Sequence, residues 1–158
     1  MPYLEREHNS IYYEIHGTGF PLVLITGFMS DHSTWLLHRM WFSKHFKLII
    51  ADSRGSGKTI WNQKPFTLLD LAEDVEALLE FLHIEEYYCI GVSMGGAIAQ
   101  ELSHLEKPPK KLVLSNTFYK FPQRFFSLIL VFILLLFLIS CFFLVAEDKR
   151  LISSVTEL

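Results

Sequence analysis

The stretch Gly91-Val92-Ser93-Met94-Gly95-Gly96 narrows what this chain can fold into more than any other. An apolar run from Tyr87 to Ile90 leads into it, and a helix-like segment from Ala97 to Leu105 leads out. A Gly-x-Ser-x-Gly between a strand and a helix is the sequence form of a nucleophile elbow, a turn so tight that the residues flanking the serine must be nearly without side chains. Ser93 belongs at its apex. There a hydroxyl projects above the end of a sheet, and the unpaired N–H groups and positive dipole end of the following helix face any negative charge that develops. A Gly-rich turn with an ordinary serine has the same residues, and the strand before and helix after are what favour the elbow.

The segments around it alternate between strand and helix patterns. Ile11-Tyr12-Tyr13-Glu14-Ile15 alternates, placing Ile11, Tyr13 and Ile15 on one face of an outer strand with a wetter side. Leu22-Val23-Leu24-Ile25 and Leu48-Ile49-Ile50-Ala51 are continuous β-rich runs, the pattern of parallel strands covered on both faces. Between them Trp35, Leu36, Met40 and Phe42 mark a helix. Thr67 is a good N-cap, Asp70 suits the first turn, and Leu71, Val75, Leu78, Leu79 and Leu82 recur at helical spacing to about His83. Tyr87 to Val92 is the strand before the elbow, Gly96 to about Leu105 the helix after it, and Leu112-Val113-Leu114 the last strand, beyond the Pro108-Pro109 stop. This rhythm predicts an α/β fold with a mostly parallel sheet and helices on both faces.

Taken together, these stretches resemble the amino-terminal half of an α/β-hydrolase fold protein of the esterase and lactonase-like superfamily, over roughly Ile11 to Phe118. Thr26-Gly27-Phe28 stands where that family has His-Gly-x, Asp52-Ser53-Arg54-Gly55-Ser56-Gly57 matches its Asp-x-Arg-Gly-x-Gly turn, and Gly91 to Gln100 matches its elbow and helix. The resemblance implies Ser93 as nucleophile and the backbone N–H groups of Phe28 and Met94 as the oxyanion hole. It implies an ester or other small acyl substrate, handled through an acyl-enzyme, and no metal or organic cofactor. Thr26 departs from the family's histidine, but an N–H donor does not depend on the side chain beside it.

A serine hydroxyl is a poor nucleophile near neutral pH unless a neighbouring base takes its proton. The family places its acid and histidine after the serine, and the only histidine after Ser93 is His104. It lies eleven residues along a mostly helical segment, on the order of 15 Å away at ~1.5 Å per residue, too far to reach the proton. His32, just after the oxyanion loop, is the one histidine expected near the mouth, and its plainer role is a polar residue opening a helix. His8, His16, His38, His45 and His83 have no metal-type spacing and read as solvated or satisfied side chains. Gly55-Ser56-Gly57-Lys58-Thr59 resembles a phosphate-binding loop, but Asp52 stands where that motif needs its first glycine. Lys58 then reads as a solvated loop charge.

Composition divides the chain unevenly. A net charge of −3, without a basic stripe, argues against a nucleic-acid partner. Cys89 and Cys141 read as packing residues, and Glu5, Arg6 and Glu7 leave no secretory signal at the amino end. Residues 125–145 carry no charge and span roughly 30 Å as a helix, the thickness of a bilayer core. The expected organisation is therefore a hydrolase-like half over 1–120, a transmembrane helix over 125–145 and a short polar tail over 146–158. Lys107, Lys110, Lys111, Lys120 and Arg124 precede the run while Lys149 and Arg150 follow it, which expects a single-pass protein with its amino-terminal domain cytoplasmic. The family continues past this point with a lid, further strands, the acid and the histidine, so the reading is of a truncated, weakly active or inactive hydrolase. A reading frame shifted near Phe118 to Arg124, a tethered half-domain completed by a second chain, and a noncatalytic membrane-anchored ligand-binding or interaction protein all fit that reading.

Overall fold

Leu22 to Ile25 and Leu48 to Ile50 offer water no polar side chain, and both runs lie in the middle of a sheet. A computed structural model describes residues 2–118 of the chain. Its strands are β1 (Tyr3–Arg6), β2 (Asn9–His16), β3 (Phe20–Ile25), β4 (Phe46–Ala51), β5 (Tyr88–Val92) and β6 (Lys111–Ser115). Its helices are α1 (Leu36–Phe42), entered through a 3-10 turn at His32–Trp35, α2 (Leu68–Phe81) and α3 (Met94–Leu102). Among the described residues the sheet runs β1-β2-β4-β3-β5-β6. The pairs β4-β3, β3-β5 and β5-β6 are parallel, whereas β1-β2 and β2-β4 are antiparallel.

The sheet is thus mixed, and β2 is not the outer strand its alternation predicts. Tyr3–Arg6 pairs outside it, with Leu4 opposite Ile11. One buried leucine among charged neighbours is too short a signal to read as a strand. The helix after the elbow begins at Met94 rather than Gly96, because the chain turns helical at once after Ser93, and it ends at Leu102 rather than about Leu105. The transmembrane expectation for 125–145, the tail over 146–158 and the role of Cys141 lie outside the described residues. Among the described residues no helix is long and apolar enough to cross a membrane.

Period-two alternation divides the strand side chains between two cores. Val23, Ile25, Ile49 and Cys89 point to the face covered by α2 and α3, where they meet Leu71, Leu78, Leu79, Ile98 and Leu102. Leu22, Leu24, Leu48 and Ile50 form the other face with Trp35, and Phe42 of α1 packs against them. Each fully buried aliphatic side chain contributes about 1.5–3 kcal/mol, so the α2–α3 side holds the larger share of the folding energy. The thinner side leaves Leu37, Met40 and Trp41 of α1 exposed. Cys89 is sealed in the larger core, where burial pushes its thiol up to about 12, and it packs as an inert apolar residue.

The amino end of α2 is fixed by a reciprocal cap. Thr67 Oγ1 accepts from the Asp70 N–H at 3.2 Å, and the Asp70 carboxylate accepts from the Thr67 N–H at 2.7 Å and its hydroxyl at 2.6 Å. The Thr67 hydrogen bonds hold the Asp70 carboxyl below the usual carboxylate range. A depressed folded-state pKa contributes stability above the unfolded value of about 3.9, and that stability is lost as pH falls through the folded value. Thr67→Ala is expected to lower unfolding free energy by about 1 kcal/mol in urea titrations at pH 7. In the same assay the difference between wild type and Asp70→Asn shrinks as the pH is taken from 6 to below about 4.

Candidate active site

Ser93 follows directly on β5 and precedes α3, at φ 55 and ψ −121. A side-chain-bearing residue in that region is strained by on the order of 1–3 kcal/mol and persists only where its surroundings hold it. The surroundings here are specific. The Ser93 N–H donates to the Ser115 carbonyl at the end of β6, at 2.9 Å, and the Thr117 hydroxyl donates to the Ser93 carbonyl at 2.8 Å. Behind the serine, Gly95 packs so closely on the carbonyls of Ile25 and Thr26 that any Cβ there would collide with them. The elbow is therefore clamped between the ends of β3 and β6.

The exposed serine hydroxyl is not used as a helix cap. The Thr26-Gly27-Phe28 loop lies against it: a Cβ built on Gly27 would stand 3.2 Å from Ser93 Cβ and 3.7 Å from Ser93 Oγ. Thr26, in the place of the family's histidine, is buried and donates its hydroxyl to the Ser30 carbonyl at 3.3 Å. That bond closes the loop without help from an imidazole. Neither the Phe28 nor the Met94 N–H donates to a backbone carbonyl among the described residues, so both remain available to an oxyanion. The three residues read from the sequence, Ser93, Phe28 and Met94, are thus brought to one place. Ser93 and Phe28 line a cleft of about 430 Å³ together with Gly27, Val92, Trp35 and His38.

His32 has a different role. Asp52, fully buried at the end of β4, accepts from the His32 N–H at 2.7 Å and from the Lys58 N–H at 2.9 Å, and its carboxylate lies 2.9 Å from His32 Nδ1. The other ring nitrogen of His32 lies 3.7 Å from Glu14. Burial of Glu14 opposes its ionisation, but hydrogen bonds with His16 and Tyr12 and the nearby His32 hold its carboxyl below the ordinary range. His32 opens the 3-10 turn, as its plainer reading expects, and its ring ties that turn to the sheet. The Asp-x-Arg-Gly-x-Gly segment supplies both halves of a brace: Asp52 holds the loop after β3, and Arg54 makes a two-pronged pair with Asp74 of α2 at 2.7 and 2.9 Å. Lys58 is exposed but not purely solvated, because its ammonium lies 4.5 Å from the Tyr12 ring centre and 3.2 Å from the Tyr12 hydroxyl. His104 lines a separate groove with Glu76 and Glu80, away from Ser93.

The family profile of the alpha/beta hydrolase fold matches residues 21–143. The chain belongs to the α/β-hydrolase fold family. It is 39% identical over 92 residues to BpoC of Mycobacterium tuberculosis, which carries the name of a non-heme bromoperoxidase, covering 57% of this chain and 35% of that protein. It is 29% identical over 97 residues to 3-oxoadipate enol-lactonase 2 of Acinetobacter baylyi, covering 61% of this chain and 36% of the lactonase. Among solved α/β-hydrolase structures, Est816, an N-acyl homoserine lactone degrading enzyme, superposes with a TM-score of 0.70 at 26% identity, over 73% of this chain and 45% of Est816. The chain thus spans less than half the length of these hydrolase-fold relatives.

Asp52→Ala removes the carboxylate to which the partly buried His32 and Lys58 N–H groups donate, and an unpaired group costs about 1–3 kcal/mol. Urea unfolding is expected to register a loss of about 2–5 kcal/mol, whereas a surface exchange such as Lys44→Ala stays within about 0.5 kcal/mol.

Proposed function

We propose that this member of the α/β-hydrolase family is a serine acyl-transfer protein that acts on a small ester, lactone or other activated acyl substrate. The observation that carries the reading is the clamped, positive-φ backbone of Ser93 with Gly27 packed against its Cβ. In this reading Ser93 Oγ attacks the acyl carbon, the carbonyl electron pair moves onto oxygen, and the resulting oxyanion takes hydrogen bonds from the Phe28 and Met94 N–H groups. Collapse expels the alcohol and leaves an acyl-enzyme that water then hydrolyses. The lactonase and the acyl homoserine lactone degrading enzyme among its relatives support an acyl carbon as the centre attacked.

No base is hydrogen-bonded to the Ser93 hydroxyl among the described residues, and turnover in this reading is slow unless one approaches it with substrate bound. Preorganised backbone donors and binding alone leave roughly 10³–10⁴-fold acceleration over water when a triad member is missing. The uncharged run at 125–145 adds a bilayer tether to the proposal on the strength of its sequence.

A fluorophosphonate probe tests the reading directly. The purified chain is expected to gain one phosphonyl adduct, mapped by peptide mass spectrometry to Ser93, and Ser93→Ala to gain none. An adduct on another residue, or no adduct after hours at millimolar probe, overturns it.

A further inference from the structure

The cleft beside Ser93 contains one side chain able to exchange a proton near neutral pH. That side chain is His38, on α1, which lines the same cleft as Ser93. The other lining residues are apolar, glycine, or neutral hydroxyl side chains, which neither accept nor hold a proton at pH 7. The other histidines near the site are occupied or remote. His32 is tied through Nδ1 to Asp52 at 2.9 Å and faces Glu14 through Nε2, and His104 borders a different groove.

His38 is in the opposite condition. Its side chain is exposed, and neither ring nitrogen has a hydrogen bond or ion pair among the described residues. What fixes the ring is aromatic packing: it stands edge-on to Trp35, with centres 5.4 Å apart and planes at 75°, and nearly parallel to Phe42 at 6.5 Å. Trp35 is itself buried against Leu22, Leu24, Leu48 and Ile50. The histidine is therefore anchored by a wall that belongs to the core, while both nitrogens stay free.

We infer that His38 is the base for Ser93, so that nucleophile, oxyanion donors and base all come from the segment between Thr26 and Met94. The inference rests on the proposed role of Ser93. As the Ser93 Oγ–carbon bond forms, the hydroxyl proton passes to an unprotonated nitrogen of His38 and the carbonyl electron pair moves to the oxyanion. As the tetrahedral adduct collapses, the carbon–oxygen bond to the leaving group breaks and the imidazolium returns the proton to the departing alkoxide. A water molecule repeats the sequence on the acyl-enzyme, giving its proton to His38 and releasing acid, with Ser93 restored. Apo active sites commonly hold such pairs further apart than the hydrogen bond they form with substrate bound.

The test measures the rate of fluorophosphonate labelling of the full-length chain between pH 5 and 9, for wild type, His38→Ala, His38→Gln and Ser93→Ala. Wild-type labelling is expected to rise with pH across the range in which imidazoles deprotonate. Both His38 variants are expected to label about 10²-fold or more slowly at pH 8, to lose that rise, and to recover speed when free imidazole is added. Circular dichroism spectra matching wild type accompany these rates. Ser93-dependent labelling whose rate and pH profile are the same in the His38 variants overturns the inference and leaves the Ser93 reading standing. A slowing equal at every pH and indifferent to imidazole also overturns it, because lost packing changes the rate without its proton dependence. Labelling that persists in Ser93→Ala overturns both.

Discussion

The site depends on one strained residue. Ser93 occupies a backbone region that a side chain disfavours, and nothing intrinsic to its own peptide keeps it there. Its amide is fastened to the end of β6, its carbonyl to Thr117, and the helix behind it is pressed onto the end of β3 through Gly95. The central strands must therefore be in register before the serine is raised. Leu22 opposite Leu48 and Val23 opposite Cys89 set that register, since a slip of one residue would exchange the contents of the two cores. Folding energy gathered over the sheet and α2 is what holds a local arrangement that would otherwise relax.

The Asp-x-Arg-Gly-x-Gly turn performs a second task, joining regions that the strands alone leave independent. Asp52 reaches forward to the start of the 3-10 turn and to Lys58, while Arg54 reaches across to Asp74, which also pairs with Arg6 at 2.7 Å. The two buried carboxylates, Asp52 and Asp74, are each hydrogen-bonded by more than one donor, the condition under which burial is tolerated. Asp52 thus ties the 3-10 turn to the end of β4, and two residues on, Arg54 ties its own turn to α2 and, through Asp74, to the edge strand β1.

Much of this was legible in the sequence because it rests on short patterns. Two continuous apolar runs marked β3 and β4, and Thr67 with Asp70 marked the start of α2. Three motifs in their chain order marked the elbow, the oxyanion loop and the brace. What escaped has a common cause. The strand β1 has one buried side chain, so its existence depends on β2 rather than on its own pattern. The Asp52–His32 contact joins residues twenty apart and needs the turn of the chain between them. The place of His38 in the cleft follows from the angle at which α1 lies across the sheet, which no local spacing records.

That difference bears on how catalysis is divided in this fold. The oxyanion donors of the proposed reaction are backbone N–H groups, so Thr26 in place of a histidine removes no donor, and each such donor is worth roughly 10²–10³-fold in rate. A base is a side chain, worth a further 10²–10⁴-fold, and it must be present as a particular residue at a particular distance. The first contribution accompanies the sheet and the elbow wherever they fold, while the second depends on what happens to face the serine. In this chain the cleft beside Ser93 is also lined by α1, which is held to the core through Trp35 and Phe42 and carries an unoccupied imidazole on His38. In the proposed reaction the thinner of the two sheet faces, which contributes less to stability, is thus the one that supplies the base.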